Sequence, residues 1–172
     1  PTVLRLAGVP VPPEMDGEPF LGPGLDPAEL ARRDTAFGHA DRFDERLEMV
    51  RTLRIGDWKY VRCYQPHYPD GMQNNYRYRM LAFREWRDLY DRGKLGSDQR
   101  LFFEPKAPEL LFDLSVDPHE VNNLAEDPDQ QARLVTMRET LRKRLEEMPD
   151  LGFFPENLLH DEAMDDPAAF GS

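Results

Sequence analysis

The chain has 172 residues, 40% of them hydrophobic and 32% charged, with 33 acidic against 22 basic side chains and a net charge of -11. That length supports one domain with a core of its own, and the balance of apolar and polar residues excludes a disordered chain. The acidic excess argues against nucleic acid as a partner, because phosphate binding needs a basic face. No run of 18 apolar residues is present to span a membrane, and Cys63, the single cysteine, excludes an internal disulfide.

The first ten residues read as the end of a helix. Val3, Leu4, Leu6 and Ala7 give one apolar face, Gly8 suits a left-handed C-terminal cap, and Pro10 stops continuation. A helix end without a beginning leads to the expectation that the chain is cut from the N-terminal side of a larger protein. Residues 10–34 hold Pro10, Pro12, Pro13, Pro19, Pro23 and Pro27 and read as loop. Within it Asp26-Pro27 caps one short helical turn through Arg33.

A first strand is expected over residues 35–39, and the charge-dense Asp41 to Glu48 reads as a connection. Met49 to Ile55 alternates, and Trp58 to Tyr64 is rich in aromatic and β-branched residues. Gly56-Asp57 between them marks a two-residue hairpin with glycine first. Trp58 and Tyr60 share one face and are expected to bury much of their area there. Gln65 to Asn75 is a loop, Tyr76 to Arg92 has helical spacing without a clean stripe, and Gly93 ends it. Ser97-Asp98 starts a short helix through Phe103.

Leu110 to Leu114 is a strand. Asp117-Pro118-His119-Glu120 has the spacing of a capped helix start, with Glu120 able to reach back to the cap, and Asn122-Asn123 limits that helix to one turn. Asp127-Pro128 caps a long helix to about Met148, whose Leu134, Val135, Met137, Leu141, Leu145 and Met148 repeat at three and four. Residues 150–172 are acidic and expected to be an extended wrap or partly disordered. The elements add up to an α+β fold: a small antiparallel sheet of about four strands covered by a long C-terminal helix.

The most polar cluster is His39-Ala40-Asp41-Arg42-Phe43-Asp44-Glu45-Arg46. Arg42 or Arg46 suits an anion, while His39 and Asp41 suit sugar hydroxyls or a proton transfer. The alternative is a solvated loop with local ion pairs. His39, Asp41, Asp44 and Glu45 match no informative metal spacing. Cys63 reads as a packed thiol, since no histidine or helix start flanks it, and His119 reads as a surface residue. No Gly-rich phosphate loop, Gly-x-Ser-x-Gly elbow or Cys-x-x-Cys pair occurs. From the residues alone, no active site is complete.

Three stretches, in order, resemble the type I sulfatases. Pro1 to Pro12 with Met15-Asp16-Gly17 resembles the segment leaving their catalytic domain. Met49 to Tyr64 is similar to their C-terminal hairpin. Leu111-Phe112-Asp113-Leu114 with Asp117-Pro118-His119-Glu120 and Asn123-Leu124-Ala125 is similar to their closing signature. His39 to Arg42 and the insertion from Gln65 to Pro108 are closer to bacterial heparan N-sulfatases (sulfamidases). The resemblance implies an alkaline-phosphatase-like parent that cleaves sulfate esters or N-sulfates with a formylglycine nucleophile and a calcium ion. It implies that residues 1–34 are the tail of a catalytic domain with a linker, 35–149 a C-terminal subdomain, and 150–172 an acidic tail. This chain then holds no catalytic residue and no cofactor, because Cys63 is followed by Tyr64-Gln65-Pro66 rather than the Cys/Ser-x-Pro-x-Arg motif. Its partners are its own catalytic domain and a sulfated small molecule or glycan, with His39, Asp41 and Arg42 as substrate contacts. A phosphonate or phosphate ester hydrolase of the same superfamily and a free-standing interaction module are the alternatives. The sulfatase resemblance also implies an exposed apolar face made partly of Val3, Leu4 and Leu6.

Overall fold

In the computed structural model, residues 1–15, 17–43, 46–148 and 150–163 are described. They divide into two compact units, Pro1–Thr35 and the remainder from Ala36. The smaller unit contains α1 (Thr2–Leu6) and α2 (Pro27–Arg32), neither with a buried residue. Gly8 takes a φ of 71° after α1, as expected of a helix end. Asp26 caps α2 by accepting from the Ala28 N–H. Side chains aimed at backbone hold the loop between them: Arg5 Nε donates to the Pro23 carbonyl at 2.8 Å and Arg33 to the Pro19 carbonyl at 2.9 Å. Val3 and Leu6 are exposed, and Leu4 is half-buried.

The larger unit is built on one four-stranded antiparallel sheet in the order β1-β2-β3-β4. The strands are β1 (Thr35–Phe43), β2 (Arg46–Ile55), β3 (Trp58–Cys63) and β4 (Glu109–Asp113). The hairpin is as expected: Ile55 pairs with Trp58 across Gly56-Asp57, and Gly56 has a φ of 59°. That backbone strains any residue with a Cβ. Gly56→Ala is expected to cost about 1 kcal/mol, read as a lower urea midpoint at unchanged slope.

The first two strands run further than their apolar residues suggest. Asp41 and Arg42 lie in β1, and Arg46 to Glu48 lie in β2, where a connection was expected. Pairing of these charges with one another and with later segments, described below, lets them sit in strands.

Each face of the sheet carries an apolar cluster. On one, Leu53, Tyr60 and Leu111 meet Leu134, Met137 and Leu141 of α6 (Gln131–Glu147), with Phe37 and Trp58 at the margin. Arg133 of α6 lies 3.9 Å from the Trp58 ring centroid, a cation–π contact. Val135 is 47% exposed and does not join the expected apolar stripe. On the other face, Val61, Cys63 and Phe112 form a smaller cluster with Val50, Leu110 and Leu114. Cys63 is buried there, and burial pushes its thiol up.

The segment between β3 and β4 carries its own aromatic packing. The expected single helix over Tyr76 to Arg92 is two: α3 (Asn75–Tyr78), capped by Asn74, and α4 (Leu81–Asp91). Tight closures from Arg79 N–H to Tyr76 and from Met80 N–H to Arg77 end the first, and Arg84 Nε takes the Tyr78 carbonyl. After Gly93, α5 (Ser97–Arg100) runs into a 3₁₀ turn over Leu101–Phe103, as expected. Trp86 stacks on Phe102 at 4.5 Å and meets Phe103 edge-on at 5.0 Å.

The Asp117-Pro118-His119-Glu120 run forms a turn, not the expected capped helix. Asp117 accepts from the Val121 and Asn122 N–H groups, four and five residues on. Glu120 takes a left-handed φ of 56°, a conformation that costs a residue with a Cβ about 1 kcal/mol or more. Its carboxylate does not return to Asp117. It accepts two bonds from Lys59 Nζ on β3, at 2.6 and 2.8 Å. Asn123 then seals the edge of β4, accepting from Leu111 N–H and donating to the Glu109 carbonyl. Asp127 caps the 3₁₀ turn Pro128–Gln130 that opens α6, as expected.

After α6 the described residues 150–163 are wound into turns rather than extended, and residues 164–172 of the expected wrap lie outside the described residues. Asp150 caps a 3₁₀ turn over Leu151–Phe153, and α7 (Glu156–Leu158) follows. Among the described residues, no helix is long and apolar enough to cross a membrane.

Candidate functional site

The site is built on the far end of β1, where side chains alternate between the two faces of an edge strand. His39 and Asp41 border one cavity of about 350 Å³, whose other wall is Met148, Asp150, Leu151 and Gly152 after α6. The same two residues, with Arg42, Arg46 and Glu48, line a second and more open hollow of about 520 Å³. The sequence cluster therefore comes together as a rim. Asp44 and Glu45, two of the four residues weighed as a metal set, lie outside the described residues.

Arg51 holds this rim in place. It sits on β2 with a side chain 0% exposed. Its Nη1 donates to Asp41 at 2.7 Å, and its Nε and Nη2 donate to the two oxygens of Asp150 at 2.6 and 2.8 Å. The guanidinium also lies 5.3 Å from the Phe153 ring centroid. Burial opposes the charge on Arg51, but the bonds to Asp150 and Asp41 outweigh it, and its pKa rises. Asp150 in turn is held below the ordinary carboxylate range by the bonds from Arg51, against the opposing effect of burial. A Cβ at Gly152 would lie 2.8 Å from Asp41 Oδ1 and closer still to Arg51 Nη2, so any larger residue there displaces these side chains.

The remaining charges divide into two sets. Arg42 reaches Glu156, with Nη1 at 2.6 and 2.8 Å from its two oxygens, and both side chains are exposed. An exposed pair is weak and exchangeable, so the bond to Glu156 does not by itself keep Arg42 from an anion. Arg46 is fixed instead. It bonds Glu48 at 2.9 Å and the Asp70 carbonyl at 2.9 Å, and Lys106 bridges Glu48 and Asp70 at 2.7 and 3.0 Å. That leaves Asp41 with one oxygen oriented by Arg51 and its carboxylate partly accessible, beside an exposed His39. These groups can hold hydroxyls and an anion.

Sequence reasoning missed Arg51, Asp150 and Gly152. Arg51 and Asp150 are 99 residues apart, and each alone reads as a surface charge. Among the described residues, no three His, Cys, Asp or Glu side chains group to hold a metal. The buried Cys63 does not fit a formylglycine precursor either, since its neighbours lack the motif.

Fold and site together define an α+β module in which His39, Asp41 and Arg42 line one rim at the end of β1. No family model matches the chain. Over 162 residues, 92% of its length, it is 33% identical to the ulvan-active sulfatase of Formosa agariphila, of which those residues are 26%. Two solved structures share the fold at 19% identity over 87% of the chain. One is a protein of Bacteroides thetaiotaomicron assigned as a sulfatase, with a TM-score of 0.51, and the other a 2-O GAG sulfatase, with a TM-score of 0.50. The chain covers 24% of each of those chains. It is thus homologous to a sulfatase in sequence, and it spans about a quarter of the length of the relatives it matches.

Proposed function

We propose that this chain is the C-terminal subdomain of a type I sulfatase, of the alkaline-phosphatase-like superfamily and nearest to the heparan N-sulfatase type. The observation that carries the reading is the 33% identity to a sulfatase across nearly the whole chain. The parent hydrolyses sulfate esters or N-sulfates of a sugar or aryl substrate. A catalytic domain outside this chain would supply formylglycine as nucleophile and calcium as Lewis acid, and this subdomain is inactive alone. One relative is named as ulvan-active and another as a 2-O GAG sulfatase, which favours a sulfated glycan as substrate.

Within that enzyme His39, Asp41 and Arg42 contact substrate at the mouth of the pocket. Asp41 accepts a sugar hydroxyl in an orientation set by Arg51, and Arg42 leaves Glu156 for an anionic group. Loops and strand ends on a rigid scaffold are where such specificity is placed. The test is sulfate release by the whole protein carrying this chain. A coding sequence that supplies no Cys/Ser-x-Pro-x-Arg motif, or a whole protein that releases no sulfate from sulfated glycans, rejects the reading. His39→Ala and Arg42→Ala are each expected to raise KM about tenfold with kcat little changed, the signature of lost substrate binding.

A further inference from the structure

The Asp117 to Asn123 turn, which the proposed rim does not use, forms one wall of a cavity of about 390 Å³ on the opposite face of the sheet from α6. Leu110 and Phe112 of β4 form its floor. Leu101 and Phe102, from the segment between β3 and β4, form the facing wall. Phe102 is braced by its stack on Trp86, and Phe112 is buried. The floor is therefore preformed, apolar and partly aromatic, as ligand pockets commonly are.

The polar groups at its mouth are mostly acceptors. Asp70, Asp98 and Glu120 stand there against one lysine, Lys106, and an exposed His119. Lys106 already donates to Glu48 and Asp70, and Glu120 is fixed by Lys59. Asp98 accepts only from the Ser97 hydroxyl among the described residues and has no cationic partner there. Lys106 and Lys59 are thus already committed to carboxylates and offer little to a sulfate or carboxylate, while Asp98 asks the ligand for a donor.

We propose that this cavity binds an uncharged sugar ring. A pyranose offers an apolar face of C–H groups for Phe102 and Leu110, with hydroxyl donors around its edge for Asp98 and Glu120. A purely apolar ligand would leave Asp98 desolvated without a cationic partner. The site lies apart from the rim of His39, Asp41 and Arg42, and the proposal does not depend on the sulfatase reading.

The experiment uses the whole protein carrying this chain. Methyl α-glucoside and methyl β-xyloside are the neutral probes, and methyl glucuronide and glucose 6-sulfate the charged ones. Binding is followed by saturation-transfer NMR. Asp98→Ala removes an exposed acceptor, and Leu101→Trp fills the mouth from a half-exposed position. The expected result is that a neutral glycoside binds, about tenfold more weakly after Asp98→Ala and undetectably after Leu101→Trp, while the charged sugars do not bind. Binding unchanged by both variants, preference for the charged sugars, or no binding of either neutral glycoside overturns the proposal. Loss of sulfate release bears on the other reading alone, since these probes carry no cleavable bond for it to act on or are scored by binding only.

Discussion

Arg51→Met is expected to destabilise the larger unit by about 3 kcal/mol, the lower end for removing one partner of a buried ion pair. The loss comes less from the missing attraction than from what remains. Asp150 has a side chain only 13% exposed and would keep a charge with no counter-ion, whereas Asp41, at 39%, can turn to water. Arg51→Met combined with Asp150→Asn should therefore recover part of the loss, because the stranded charge goes with its partner. Urea denaturation of the three proteins measures this. A double variant no more stable than Arg51→Met would mean that lost packing against Phe153, not an uncompensated charge, sets the cost.

The same triad fixes a pH dependence. Asp150 is held below its ordinary value in the folded protein, so near pH 4 the unfolded chain binds more protons than the folded one. Its contribution is fully present above the ordinary aspartate pKa and is lost as pH falls through the lower, folded value. Glu109 adds in the same direction. Its carboxyl is lowered by the bonds from Arg138, at 2.7 and 2.8 Å, against burial and with help from the Tyr60 hydroxyl at 2.5 Å. Acid unfolding should thus steepen below about pH 4, and Arg51→Met should flatten the part due to Asp150 while leaving the part due to Glu109.

Local chemistry was enough to read some elements. Gly56-Asp57 between two alternating runs has few other uses, and the Asp127-Pro128 cap precedes a long regular spacing, so the hairpin and α6 could be read directly. The same chemistry misled at Asp117-Pro118-His119-Glu120, because a carboxylate that caps a helix can also close a turn. What decided between them was Lys59, 61 residues away, which takes Glu120 out of reach of the cap. The charged stretch from Asp41 to Glu48 read as a connection for a related reason. Charges in strands are legible only with their partners, and Asp150, Asp70 and Lys106 are remote in sequence. His39, Asp41 and Arg42 stood out as a polar cluster, but the arginine that orients Asp41 lies on the neighbouring strand and looked like one of several exposed cations.

Leu111→Ala is expected to cost about 3 kcal/mol, within the range for truncating a buried leucine. Leu111 is 0% exposed and sits where three parts of the unit meet. Its side chain belongs to the cluster of Leu53, Tyr60, Leu134, Met137 and Leu141, while its N–H and carbonyl are tied to Asn123 and Leu124. Strand, turn and helix are thus joined through one residue, and a void there cannot close without moving α6 or breaking the seal on β4. Val135→Ala provides the contrast on the same helix. Val135 points away from the sheet, so its truncation should change stability by no more than about 0.5 kcal/mol. Urea midpoints at unchanged slope test the pair. If the two variants cost the same, the buried stripe of α6 is not what holds the helix to the sheet, and the surface contacts of Arg133 with Trp58 and Arg138 with Glu109 must carry it instead. A large loss at Leu111 alone would place the stability of the rim and of the second cavity on this one cluster, since β4 forms the cavity floor and the rim closes against the segment that follows α6.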